Sequence, residues 1–145
     1  MNLLLIIDTM IHYDREILKG IKSKLDEVNM NLSIHIDSVE NEDYLFSKEW
    51  DYVIADFDKV GSKKLVNRIN SRKVVIYSSA KIEETLDRVS SIINDNEYIA
   101  NIALSQFIND GIRHVSVYSD NDEIEERWAI ERKESFYLLA NKNRM

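Results

Sequence analysis

Cysteine is absent from this chain of 145 residues, and so is proline. Without thiols there are no disulfides, no thiolate zinc sites and no cysteine nucleophile, a usage that fits a reducing, cytoplasmic setting. Glycine occurs only at positions 20, 61 and 111. That is too sparse for a phosphate-cradling loop, and neither the GxGxxG nor the GxxxxGK[ST] pattern is found. Dinucleotide and P-loop chemistry are thereby disfavoured. The apolar start, Leu3–Ile7, stops at Asp8, far short of the roughly 20 residues of a membrane span, so the chain is expected neither to cross nor to enter a membrane. Excess positive charge is also missing. A net charge of −7 speaks against direct nucleic-acid contact by this piece, because phosphate binding needs a basic face.

What remains is an ordinary globular composition, 44% hydrophobic and 31% charged, of a length that suits one domain. The pattern alternates. Leu3–Ile7 reads as a strand buried on both faces. Asp14 is placed to cap a helix whose apolar face is Ile17, Leu18, Ile21, Leu25 and Val28. Gly20 lies inside that helix, where close approach to the sheet would offset a cost of about 1 kcal/mol. Leu32–Ile36, Tyr52–Ala55, Val74–Tyr77 and Val89–Ile93 follow as strands. Between them come a helical piece near Tyr44–Lys48 and a helix face of Val60, Leu65, Val66 and Ile69. This order predicts an α/β fold, a three-layer αβα sandwich with a mostly parallel sheet, Rossmann-like or flavodoxin-like. Right-handed crossovers then gather Asp8, Asp56, Ser78 and Ser79 on the carboxyl edge of the sheet, where open α/β sheets bind ligands.

The last third holds the most unusual choices. Asn96 is expected to cap a helix facing inward through Ile99, Ile102, Ala103 and Phe107, with Gly111 as its stop. A strand His114–Tyr118 and the acidic run Asp120–Glu126 come next. In the final helix Ile124, Trp128, Phe136 and Leu139 form one stripe, and Arg132 sits inside it. Such an arginine either lays its stem along apolar surface or meets a polar ligand or carboxylate.

Little else suggests catalysis. Asp8 and Asp56 suit a magnesium ion, sugar hydroxyls or simply local backbone N–H groups. Asp8, Asp56 and Ser78 fit the acidic and hydroxyl slots of a phospho-receiver. However, Thr9 stands where a second acid belongs, and Tyr118-Ser119-Asp120 stands where strand five should end in lysine. His12, His35 and His114 lack zinc-ligand spacing, and no serine has a G-x-S-x-G elbow. No catalytic residue, metal or cofactor is assigned.

Several segments together resemble a known family. These are Tyr13-Asp14-Arg15-Glu16-Ile17-Leu18-Lys19-Gly20-Ile21, Val53-Ile54-Ala55-Asp56-Phe57-Asp58, Asp95-Asn96, Phe107 with Gly111, and Arg127-Trp128-Ala129 with Glu131-Arg132 and Phe136. In order and spacing they are similar to the periplasmic-binding-protein-like effector domain of the xylose operon regulators. Those are AraC-type proteins whose wider relatives are the LacI/GalR repressors and ribose-binding proteins.

The resemblance implies a ligand-sensing or dimerisation domain of a sugar-responsive transcriptional regulator, not an enzyme. Its expected ligand-binding residues are Tyr13, Asp14, Asp56, Ser78, Ser79 and Arg132, with a pentose-like sugar as ligand. DNA contact would belong to a separate domain. Residues 1–112 correspond to a first lobe and 113–145 to the opening of a second, which either folds back or packs on a neighbouring chain, so a homodimer is expected. Two alternatives stand beside this reading: a protein-interaction module that has lost its ligand, and a receiver-like signalling domain.

Overall fold

A computed structural model describes residues 1–29, 32–37, 42–82, 88–118 and 126–145. Its elements are β1 (Asn2–Ile6), α1 (His12–Glu27), β2 (Ser33–Asp37), α2 (Glu42–Phe46), β3 (Trp50–Asp56), α3 (Ser62–Arg68), β4 (Ser71–Ser78), β5 (Val89–Ile93), α4 (Asn96–Asn109) and α5 (Arg127–Lys142). The five strands form one sheet in the order β2-β1-β3-β4-β5, and the pairs β1–β2, β1–β3 and β3–β4 are parallel. The α/β class and parallel sheet expected from the alternating pattern are therefore present. The chain divides into two compact units, Met1–Ser78 with Glu83–Ile92, and Ser79–Ile82 with Ile93–Met145.

In the first unit β1 runs between β2 and β3, and Leu3 to Ile7 are all buried, as a strand covered on both faces must be. Leu3, Leu5, Ile7 and Tyr77 pack with Ile17, Leu18, Ile21 and Leu25 of α1. Leu4, Ile6, Val53, Ala55, Val74 and Ile76 share paired rows on the other face and are buried too. At ~1.5–3 kcal/mol for each large apolar side chain, these two faces supply most of the unit's stability. The fully buried Trp50 donates its indole N–H to the Leu45 carbonyl at 2.9 Å, which ties α2 to the start of β3.

Several local expectations are corrected. Asp14 is not a helix cap. Ile11 occupies that position without a side-chain bond, and Asp14 sits in the first turn. Gly20 faces solvent, and a Cβ there would meet nothing within 4 Å, so no close approach to the sheet explains it. Val28 ends up exposed, and Val60 is 97% exposed because it lies in the loop before α3. On β2, Ile34 and Ile36 are exposed at the edge of the sheet, while His35 packs against Trp50 with ring centroids 5.1 Å apart.

In the second unit Asp95, not Asn96, caps α4, accepting the Tyr98 N–H at 2.8 Å. Gly111 ends the helix as expected. It takes φ of +75°, and the bonds Ile112 N–H to Phe107 O and Gly111 N–H to Ile108 O close a Schellman motif. The phase of α4 differs from expectation. Ala100 and Leu104 are buried against Phe136 and Ala140 of α5, and Phe107, partly exposed, sets its ring edge-on to that of Phe136 with centroids 6.3 Å apart, whereas Ile99, Ile102 and Ala103 are exposed. Small Ala100 and Ala140 let the two helices approach closely, and that approach selects the face. His114–Tyr118 forms no strand. Val115 and Val117 alternate inward onto the α4–α5 core, but no neighbouring strand pairs with them among the described residues. Ile124 and most of the acidic run lie outside the described residues.

Candidate functional site

The carboxyl edge of the first unit's sheet concentrates polar side chains. Asp8 stands one residue beyond β1, and its Oδ1 accepts the Met10 N–H at 2.9 Å, which shapes the turn into α1. Asp14, only 1% exposed, points back toward this turn. One oxygen accepts the Asp8 N–H and the other accepts the Tyr77 hydroxyl at 2.8 Å. Lys59, from the loop after β3, places its ammonium 3.6 Å from Asp14 and 3.9 Å from Asp8. Asp56 ends β3, and its Oδ1 accepts the Asp58 N–H at 3.0 Å. Ser78 ends β4 and donates its hydroxyl to Asp58. The Tyr13 ring stands 6.0 Å from that of Tyr77.

Tyr13, Asp14, Asp56 and Ser78 thus share this edge. Carboxylates crowded there perturb one another. Burial pushes the Asp56 carboxyl from its ordinary 3.8 up to about 6; the Asp58 N–H and Lys59 pull it down, and the charges of Asp14 and Asp58 add to the rise. Burial, then the hydrogen bond to Asp14, raises the Tyr77 phenol strongly. Tyr13 is raised by burial first and then by Asp56, Asp58 and Asp14. An edge with this many carbonyl-type acceptors repels anions and suits a ligand rich in hydroxyl donors. Among the described residues no group of three or more acidic or imidazole side chains is arranged to hold a metal ion.

The second unit places Arg132 in a network of its own. Asn96, 1% exposed, accepts the Arg132 Nε–H through Oδ1 at 2.8 Å. Its amide nitrogen donates to the Ser79 carbonyl at 2.8 Å and to Glu131 at 2.6 Å, and Glu131 also accepts the Lys81 N–H at 2.9 Å. The guanidinium lies 4.6 Å from the centre of the Trp128 ring. Arg132 is therefore fixed on two sides. With Nε committed, its remaining donors are those of the two Nη nitrogens. Ser79 enters this network through its backbone carbonyl.

Residue reading alone missed Lys59, Tyr77, Glu131 and the inward role of Asn96. Lys59 is the cation that the acidic edge lacked on paper. The Tyr77–Asp14 and Asn96–Arg132 bonds join residues 63 and 36 positions apart, beyond the reach of any local pattern. A cavity of about 370 Å³ lies elsewhere, against α1, lined by Leu3, Ile21, Leu25, Ile54 and Val75 together with Lys24 and Lys73. Its apolar walls offer few partners to a polyol.

No family model matches the chain. It is 24% identical over 133 residues to the xylose operon regulatory protein of Haemophilus influenzae, an alignment covering 90% of this chain and 34% of that protein. In three dimensions it is similar to the xylose-binding transcription activator xylR. The TM-score is 0.77 at 22% identity, over 97% of this chain and 35% of the other. The chain thus spans about a third of the length of the relatives it matches. The resemblance drawn from Tyr13–Ile21, Val53–Asp58 and Arg127–Phe136 is found again over nearly the whole chain, as likeness of sequence to a xylose operon regulator and as shared α/β fold with a xylose-binding activator.

Proposed function

We propose that this chain is a ligand-sensing domain of a sugar-responsive transcriptional regulator, that it acts as a cytoplasmic homodimer, and that it carries out no catalysis. The observation behind this reading is the hydroxyl-accepting carboxyl edge of a fold shared with a xylose-binding activator. In the first unit Asp56, Ser78 and Tyr13 are the ligand-facing groups. Asp14, whose two oxygens are already engaged, holds the Asp8 turn and Tyr77 in place. In the second unit Arg132 supplies charge-assisted donors from a pre-set position, so less freedom is lost on binding. DNA contact falls to a separate, basic domain, consistent with a net charge of −7 here.

Calorimetric titration with the aldopentoses tests this. One pentose is expected to bind saturably, and Arg132→Ala is expected to weaken it about tenfold or more, the ~1.5–3 kcal/mol of a hydrogen bond to a charged group. Affinity unchanged in Arg132→Ala removes that assignment. No heat with any aldopentose overturns the sugar-sensing reading.

A further inference from the structure

The two faces of the first unit's sheet are covered unequally. On one, Leu4, Val53, Val74 and Ile76 are all buried. On the other, α1 covers Leu3 and Leu5 of β1 but leaves Ile54 of β3 and Val75 of β4 only half-buried, and Tyr52 is 37% exposed. Interior strands of a parallel sheet are ordinarily covered on both sides. The uncovered stretch beside α1 is the groove of about 370 Å³, with Ile21 and Leu25 of α1 as its wall and Leu3, Ile54 and Val75 as its floor.

Strand register orders this groove by polarity. Leu3, Tyr52 and Lys73 stand side by side in one row across β1, β3 and β4, and Leu5, Ile54 and Val75 form the row two residues further on. The row at the amino edge therefore carries a phenol and an ammonium, and the next row is wholly apolar. Lys24 of α1 stands on the opposite bank. Two cations and no carboxylate line the groove, in a chain with 26 acidic residues against 19 basic ones. Lys24 is held by Glu27 at 2.7 Å, whereas Lys73 makes no ion pair among the described residues.

We propose that this groove binds a small amphipathic anion, a carboxylate with an alkyl tail. The tail lies on Ile54 and Val75, and the head meets Lys73, with the Tyr52 hydroxyl as a second donor. The volume is that of a small-molecule pocket. Its apolar rows reward burial of a tail and offer no hydrogen bonds to a polar chain, while lysine stems extend the apolar cover and keep their ammonium groups in water. Charge selects the head. A cationic head meets two lysines, and a second copy docked here about a two-fold axis would bring the basic mouth against itself. The mouth opens at the amino edge of the sheet, opposite the carboxyl edge that holds Asp56 and Ser78, so the proposal stands whether or not the chain binds a sugar.

Octanoate, octan-1-ol and octylammonium share one tail and differ in head charge, so calorimetric titration of the full chain with each, below micelle formation, separates tail from head. Octanoate is expected to bind saturably, about tenfold or more tighter than octan-1-ol, as a hydrogen bond to a charged group contributes. Octylammonium is expected to give no measurable binding. Lys73→Glu is expected to weaken octanoate about tenfold or more and to reverse the preference in favour of octylammonium. Val75→Phe fills the floor and is expected to abolish binding, with circular dichroism unchanged in both variants. Octan-1-ol binding as tightly as octanoate, or octanoate indifferent to Lys73→Glu, rejects the anionic head. Octanoate indifferent to Val75→Phe rejects the groove, and no heat with octanoate overturns the proposal outright.

Discussion

Asp56 shows at the scale of one residue how the candidate site is set against stability. In the folded chain its carboxyl keeps its proton up to a pKa of about 6, against an ordinary 3.8, mainly because it is buried. The folded state therefore binds that proton more tightly than the unfolded state. Its contribution is fully present below about pH 4, declines as the pH rises to about 6, and is a constant penalty above that. Asp56→Asn keeps an oxygen for the Asp58 N–H and removes the ionisation. It is expected to raise stability at neutral pH by on the order of 2–3 kcal/mol and to abolish the slope between pH 4 and 6. Urea unfolding at several pH values measures both; a slope that persists in the variant assigns it to another group. Asp56 and Ser78 were legible as polar residues ending strands. The roles of Lys59 and Asn96 were not, since a lysine in a loop looks like solvated surface and an asparagine at a helix start looks like a cap until their distant partners are in place.

Two glycines make the case at the scale of the element, because one substitution has opposite signs at the two positions. Gly20→Ala puts a methyl group into open solvent at a helical position, so it is expected to stabilise the first unit by about 1 kcal/mol. Gly111→Ala meets no steric neighbour either, but φ of +75° strains any L side chain, and a loss of about 1–2 kcal/mol is expected. Thermal unfolding of the two variants checks the pair; equal signs refute this account.

The helix stop at Gly111 was readable because left-handed backbone favours one residue type. The inward phase of α4 was not, because Ile99–Ile102 and Ala100–Leu104 both recur at helical spacing and only the arrival of α5 chooses between them. Likewise, the alternation of Val115 and Val117 states which side chains share a face. It does not state whether a strand lies alongside to accept the ladder.

For the molecule as a whole, the parallel sheet was legible from the order of apolar runs and helices, since right-handed crossovers leave few topologies. The place at which the two units divide was not, because it depends on which helices find each other. Net charge acts at this scale as well. Repulsion between copies at −7 is screened as the Debye length shortens from ~30 Å at 0.01 M salt to ~8 Å at 0.15 M. Association into the proposed homodimer is therefore expected to tighten with added salt; sedimentation showing weakening instead would point to ion pairs at the interface.

The two tryptophans fall one to each unit. Trp50 is sealed in the first beneath Lys48, whose ammonium lies 4.3 Å from its ring, and Trp128 lies half-buried under Arg132 in the second. Intrinsic fluorescence is therefore the sum of two emitters with different surroundings. Replacing either by phenylalanine leaves a lamp in one unit alone, so melting of the sheet and occupancy near the arginine become separately visible without any added dye.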